Sequence, residues 1–128
     1  MDEKRSGFSK KERLRKRREF LDLYEHGKKI QSAYFVLYML ENGRACHRLG
    51  ITVSRKIGIA VVRNRIKRSL REIFRANKQA IFPYCDLVVN AKRAAARAHN
   101  QEIQEDILKA ILRWERGVPP PQEGRIGG

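Results

Sequence analysis

Between Ala60 and Arg75 the chain reads AVVRNRIKRSLREIFR, which sets Arg63, Asn64, Arg65, Lys67, Arg68, Arg71 and Arg75 among the apolar residues Val62, Ile66, Leu70 and Ile73. A guanidinium fork matches the paired oxygens of a phosphate, so a row of arginines is chemistry for holding a polyanion rather than for breaking a bond. Glu72 is the only acid in this row and its upstream neighbours Arg55 and Lys56. Like charges four residues apart, at 63 and 67, 67 and 71, and 71 and 75, each cost about 0.2–0.5 kcal/mol on a helix. A partner that neutralises them explains the pattern better than a solvated face does.

Bond-breaking chemistry is not spelled out elsewhere. An autonomous nuclease needs paired carboxylates for two metal ions or a histidine acid/base pair. The acids are scattered, and His26, His47 and His99 fall in unrelated segments, where they read as lone surface or turn residues. Cys46 and Cys85 lack the spacing of zinc ligands and read as reduced, structural thiols. No catalytic residue is assigned on this basis, and no metal ligand.

A second group of residues suits single-stranded nucleic acid. Phe20 and Tyr24 share one face of a helical stretch, Tyr34 and Tyr38 one face of a strand, and Thr52 and Ser54 the polar face of the next strand. Aromatic rings beside small hydroxyls can hold an extended strand, stacking being worth about 1–3 kcal/mol per base without reading sequence. Phe35 alternates with Leu37 and Met39, which assigns it to the core by periodicity, whereas for Tyr24 and Tyr38, whose hydroxyls favour a wet edge, the residues by themselves leave cleft and core equally open.

The elements that must carry these groups follow from hydrophobic period. REFLDLYEHG closes on Gly27, a glycine suited to a left-handed cap; Ser9 with Glu12 would start this helix early, whereas the charge from Arg15 to Arg18 favours a later start. AYFVLYML is a strand apolar on both faces, Tyr34, Val36, Tyr38 and Leu40 on one and Phe35, Leu37 and Met39 on the other. Asn42-Gly43 in ENGRA is a hairpin signal, followed by HRLGITVS with Leu49, Ile51 and Val53 inward. The arginine-rich helix then runs about five turns, with Ile59, Val62, Ile66, Leu70 and Ile73 within an arc of about 80°. A strand, YCDLVVNA, and a helix from about Gln101 to Arg116, with Ile103, Ile107, Leu108, Ile111 and Leu112 inward, complete an αβββαβα order or a close variant of it, depending on how the segment from Ile30 to Val53 is cut.

At 128 residues with a net charge of +15 and 41% hydrophobic residues, the chain is expected to form one folded polyanion-binding domain. The expected division is a flexible basic arm over 1–13, the domain over 14–116 and a disordered Pro/Gly tail over 117–128. No apolar run approaches the ~18 residues of a membrane span, and MDEKRSGFSKKE lacks the apolar centre of a secretion signal. The expectation is a cytoplasmic nucleic-acid binder with no membrane partner. DNA is disfavoured because the helix lacks a helix-turn-helix context; an architectural RNA-binding protein of ribosomal type fits the composition equally well.

The segment RLGITVSRKIGIAVVRNRIKRSLREIFR, followed by DLVVNAK and preceded by REFLDLYEHGKK and FVLYML, resembles the bacterial ribonuclease P protein subunit, whose signature is the Arg-Asn-Arg motif seen here as Arg63, Asn64 and Arg65. The resemblance runs from about Leu14 to Arg113. It implies an α+β fold, an αβ sandwich with a central, mainly antiparallel sheet like the second domain of ribosomal protein S5. A left-handed βαβ crossover would carry the Arg-Asn-Arg helix, where the usual rule favours the right-handed hand. It also implies that the RNA subunit, with magnesium bound mainly by that RNA, removes the 5′ leader of precursor tRNA. Carried over by position, Arg55, Lys56, Arg63, Asn64, Arg65, Lys67, Arg68, Arg71 and Arg75 would face ribonuclease P RNA. Phe20, Tyr24, Phe35, Tyr38, Thr52 and Ser54 would form the leader-binding cleft. Ile59 stands where the family usually has asparagine, and hydrophobic packing at Ile59 is expected to replace its contact.

Overall fold

The computed structural model describes residues 10–81 and 83–115. Three helices, α1 (Arg17–His26), α2 (Ala60–Asn77) and α3 (Asn100–Glu115), flank a sheet of β1 (Lys28–Gln31), β2 (Phe35–Glu41), β3 (Arg48–Thr52) and β4 (Cys85–Ala91). The strand order is β1-β2-β4-β3, with β1–β2 and β2–β4 antiparallel and β3–β4 parallel. This is the expected α+β sandwich and the expected αβββαβα order, with α2 as the crossover between the two parallel strands.

Pairing departs from expectation at Asn42-Gly43. Gly43 has the positive φ of 64° that such a turn favours, but β4 lies between β2 and β3, so these strands form no hairpin. Local turn chemistry was outweighed by β4, which reads CDLVVNA and is buried over its first five residues. Buried on both faces, such a strand belongs at the centre of a sheet. Asn42 instead ties the turn to β4, its amide donating to Asp86 Oδ1 at 2.8 Å. The hairpin that does form joins β1 to β2 through Ser32–Tyr34 and is held from α3. Asp106 accepts the Ala33 and Tyr34 N–H groups at 3.0 Å each and lies 2.6 Å from Ser32 Oγ.

Strand alternation divides the interior in two. Phe35, Leu37 and Met39 on β2 and Leu87 and Val89 on β4 meet Ile66, Leu70, Ile73 and Phe74 of α2 and Ile103, Ile107 and Ile111 of α3. On the opposite face Val88 packs with Leu23 of α1 and with Leu14, bordered by Phe20 and Tyr38. A fully buried Leu or Phe side chain is worth about 1.5–3 kcal/mol, so the larger cluster anchors both long helices.

Four further expectations are corrected. Ile59 is 71% exposed and packs against no core, because it precedes the first turn of α2 instead of lying on its inner face. Leu112 is 47% exposed, its place inside taken by Ala110. Gly27 ends α1 at φ −75°, not left-handed; a Cβ there would lie 2.6 Å from the Leu23 carbonyl oxygen, which is the reason glycine fits. His47 is buried, with Nε2 2.9 Å from the Ile81 carbonyl and Nδ1 accepting the Cys85 N–H at 3.1 Å. Cys85 is buried beside it, and burial with the neighbouring Asp86 pushes its thiol up to about 12.

The start of α1 at Arg17 is the later of the two alternatives, set by Glu19, whose Oε1 accepts the Arg15 and Lys16 N–H groups at 3.1 Å. Residues 10–13, assigned above to a flexible arm, are attached to the domain. Arg13 bridges Leu49 on the edge of β3, and Glu12 pairs with Lys78 at 2.7 Å. The rest of the arm, Ser9 and the tail from residue 116 lie outside the described residues.

Candidate nucleic-acid interface

Cross-strand register sorts the sheet face beneath α1 into three rows: Leu40, Asp86 and Arg48; Lys29, Tyr38, Val88 and Gly50; and Gln31, Val36, Asn90 and Thr52. The helix covers the first two. Arg48 donates from Nη1 to Glu19 at 2.8 Å and in bidentate fashion to Asp86 at 2.7 and 2.8 Å, clamping α1 to β3 and β4. Burial raises the Glu19 carboxyl pKa, but the Lys16 and Arg15 N–H groups and Arg48 outweigh it, so the net shift is downward. Phe20 rests on Gly50, where an added Cβ would lie 2.7 Å from its ring. Close approach of helix to strand therefore depends on glycine at 50.

The third row is open. Thr52 and Gln31 are exposed, and Val36 and Asn90 half-buried. Along its border Tyr24 meets Tyr38 edge to face, with ring centroids 4.8 Å apart, and the Tyr24 hydroxyl donates to Asn90 Oδ1 at 3.3 Å. The rings, the Asn90 amide and the Thr52 hydroxyl thus make one shallow strip, with the exposed Ser54 two residues beyond Thr52 along the chain. Tyr24, Tyr38 and Thr52 are brought together as expected; Phe20 lies toward the β3 edge. Phe35 does not belong: it is 0% exposed on the opposite face, where strand alternation sends it. Asn90 and Val36 were missed. An asparagine ending the apolar run LVV was the available signal, since a strand buried on both faces has little use for an amide.

On the far side of the sheet α2 presents its cations. At 100° per residue, Asn64, Arg68, Arg71 and Arg75 fall within an arc of about 60° opposite the buried Ile66, Leu70 and Ile73. All four are exposed. Arg63 and Arg65 project to opposite flanks, about 160° apart. Arg63, half-buried, donates from Nε to the Gly58 carbonyl at 3.0 Å, a bond that does not use its terminal nitrogens. Arg65 donates from Nη2 to the Ala96 carbonyl at 2.7 Å and from Nη1 to the Ala98 carbonyl at 3.2 Å. The continuous comb expected from sequence is therefore a ridge with two braced flanks, Lys67 being half-buried beside it. Val53 and Ile57 anchor the intervening turn and leave Arg55 and Lys56 exposed at its tip. Among the described residues no group of three or more His, Cys, Asp or Glu could hold a metal ion, and no helix is long and apolar enough to cross a membrane.

The family model described as Ribonuclease P matches residues 8–115. The ribonuclease P protein component of Syntrophus aciditrophicus is 47% identical over 89 residues, 70% of this chain and 75% of the relative. That of Thermotoga maritima is 40% identical over 112 residues, 84% and 96% of the two chains. Among solved structures, the RNase P protein of Thermotoga maritima superposes with a TM-score of 0.73 at 42% identity, covering 80% of this chain and 96% of that one. The Staphylococcus aureus RNase P protein gives 0.74 at 32% identity, covering 81% and 95%.

Proposed function

The chain belongs to the ribonuclease P protein family, the protein component of the endoribonuclease that processes tRNA 5′ ends, and from that premise we propose how its two surfaces divide the work. The α2 ridge binds ribonuclease P RNA: Asn64, Arg68, Arg71 and Arg75 meet phosphates, with Lys67, Arg63, Arg55 and Lys56 beside them. Arg65 holds the helix flank against the segment that leads into α3. The open strip beside α1 binds the 5′ leader of precursor tRNA through Tyr24, Tyr38, Asn90, Thr52 and Ser54, with Phe20 at its β3 end.

The observation that carries this reading is the placement of the two surfaces on opposite faces of one sheet. The ridge offers charge without stacking groups, and the strip offers rings and neutral hydrogen-bonding groups. Charge without rings suits a folded RNA, which is met through its phosphates, whereas rings suit a single strand, whose bases are free to stack. Hydrolysis is carried out by the RNA subunit in the cytoplasm, and magnesium held by that RNA stabilises the charge developing at the cleaved phosphate. The protein anchors and aligns.

Reconstitution tests this. The protein alone leaves precursor tRNA uncut, and its addition lets ribonuclease P RNA cleave at magnesium concentrations too low for the RNA by itself. Cleavage by the protein alone, or RNA activity unchanged by the protein, would overturn the proposal.

A further inference from the structure

We propose that a basic hollow at the amino-terminal end of α1 is a further site for the phosphodiester backbone of RNA, resting on the RNA-binding reading above but distinct from both surfaces described there. The hollow has a volume of about 330 Å³ and is walled by Lys11, Arg13, Arg15, Lys16 and Arg44, with Glu19 and Arg48 also lining it. Glu19 is the only acid in it, and its two oxygens are committed, Oε1 to the Arg15 and Lys16 N–H groups and Oε2 to Arg48. Arg48 also donates from Nε and Nη2 to Asp86, so its charge is shared between the two carboxylates. The other five cations are exposed, and among the described residues none of them pairs with a carboxylate. A folded chain that gathers five uncompensated cations around one concavity repels itself there until an anion enters.

The form of the site favours a chain of phosphates over a small anion. A second cavity, of about 490 Å³, shares Arg13 and Arg15 with the hollow and continues past Phe20 and Gly50 to Arg71 on α2. It follows the edge of β3, which is bridged at Leu49 by Arg13 and, among the described residues, carries no further strand. Cations therefore line a track that leaves the hollow, rounds the sheet edge and joins the α2 ridge. The hollow has no apolar lining residue with which to enter a bilayer. Repeated arginine forks along an open track are the chemistry of a nucleic-acid backbone.

The phosphates could belong to ribonuclease P RNA or to the leader, and one experiment separates the two. Full-length protein carrying Arg15→Ala with Arg44→Ala is titrated over a range of salt concentrations against ribonuclease P RNA. The reconstituted holoenzyme is then titrated against leader-bearing and leaderless tRNA. Each lost phosphate contact lowers the salt slope by about 0.9, so the double variant is expected to lose about 1–2 in slope. A loss confined to the first titration identifies the RNA subunit, and a loss for leader-bearing tRNA only identifies the leader. Both side chains are exposed, and circular dichroism verifies the fold; Arg44→Glu alone, on a surface turn, repeats the test without touching α1. Wild-type slopes in every titration, or an effect of Arg44→Glu no larger than that of Lys109→Glu on exposed α3, would overturn the inference. If Arg68→Ala also leaves every titration unchanged, the α2 reading fails with it; if Arg68→Ala weakens RNA binding while the hollow variants do not, only the hollow is refuted.

Discussion

Replacing Arg65, the second arginine of the Arg-Asn-Arg motif, separates two roles that sequence merges. Its fork is occupied by the carbonyl groups of Ala96 and Ala98, at 2.7 and 3.2 Å, in a half-buried position. A hydrogen bond from a charged donor is worth about 1.5–3 kcal/mol net. The longer bond counts for less, and water can reach the carbonyl groups once the side chain is gone, so Arg65→Ala is expected to cost about 2 kcal/mol of folding stability. Because the guanidinium is engaged within the protein, its loss releases almost no phosphate contact. Affinity for ribonuclease P RNA should fall through a misplaced flank, and the salt slope should stay within about 0.3 of wild type. Arg68→Ala, on the exposed ridge, should do the reverse: stability within about 0.5 kcal/mol of wild type and a slope lowered by about 0.9. Urea denaturation supplies the first quantity and titrations across salt the second. A slope loss for Arg65→Ala equal to that for Arg68→Ala, with stability unchanged, would refute the assignment and return Arg65 to the phosphate-binding set.

Two more outcomes follow from the α1 face. Tyr38→Ala removes a ring worth about 1–3 kcal/mol of stacking, so leader-bearing tRNA should bind the holoenzyme about 5- to 150-fold more weakly and leaderless tRNA as before; equal losses on both substrates would refute the two-surface division. For Glu19 the folded-state pKa lies below the unfolded one, so its carboxylate contributes stability above the ordinary carboxylate range and that contribution is lost as pH falls through the lowered value. The loss of urea stability on acidification should therefore be shallower in Glu19→Gln than in wild type, and identical slopes would refute the role given to the Arg48–Glu19 pair.

The local signals legible in the chain are those with a short period or a fixed composition. A 3.6-residue repeat put Ile66, Leu70 and Ile73 inside and Arg68, Arg71 and Arg75 outside, and a two-residue repeat placed Phe35 opposite Tyr38, all as the structure has them. Such patterns survive translation into three dimensions because the geometry of one helix or strand dictates them. The Arg-Asn-Arg motif identified the family for the same reason, being contiguous.

What escaped the sequence depends on contacts far apart in the chain. That Asn42-Gly43 would not close a hairpin was decided by β4, some forty residues downstream, whose buried strand claimed the place between β2 and β3. The occupant of Arg65 was decided by the segment before α3, and Asn90 joined the strip only when β2 and β3 flanked β4 in register with Val36 and Thr52. The basic hollow brings Lys11 and Arg15 of the amino-terminal stretch together with Arg44 of a turn some thirty residues on, and its exposed charge emerges only after Glu19 and Asp86 have been claimed by Arg48. Charge and period are properties of a sequence; which carboxylate neutralises which cation, and which edge stays open, are properties of packing. The sequence alone thus determined that this protein binds a polyanion and which family it joins, and the tertiary structure decided which of its cations are left to do so.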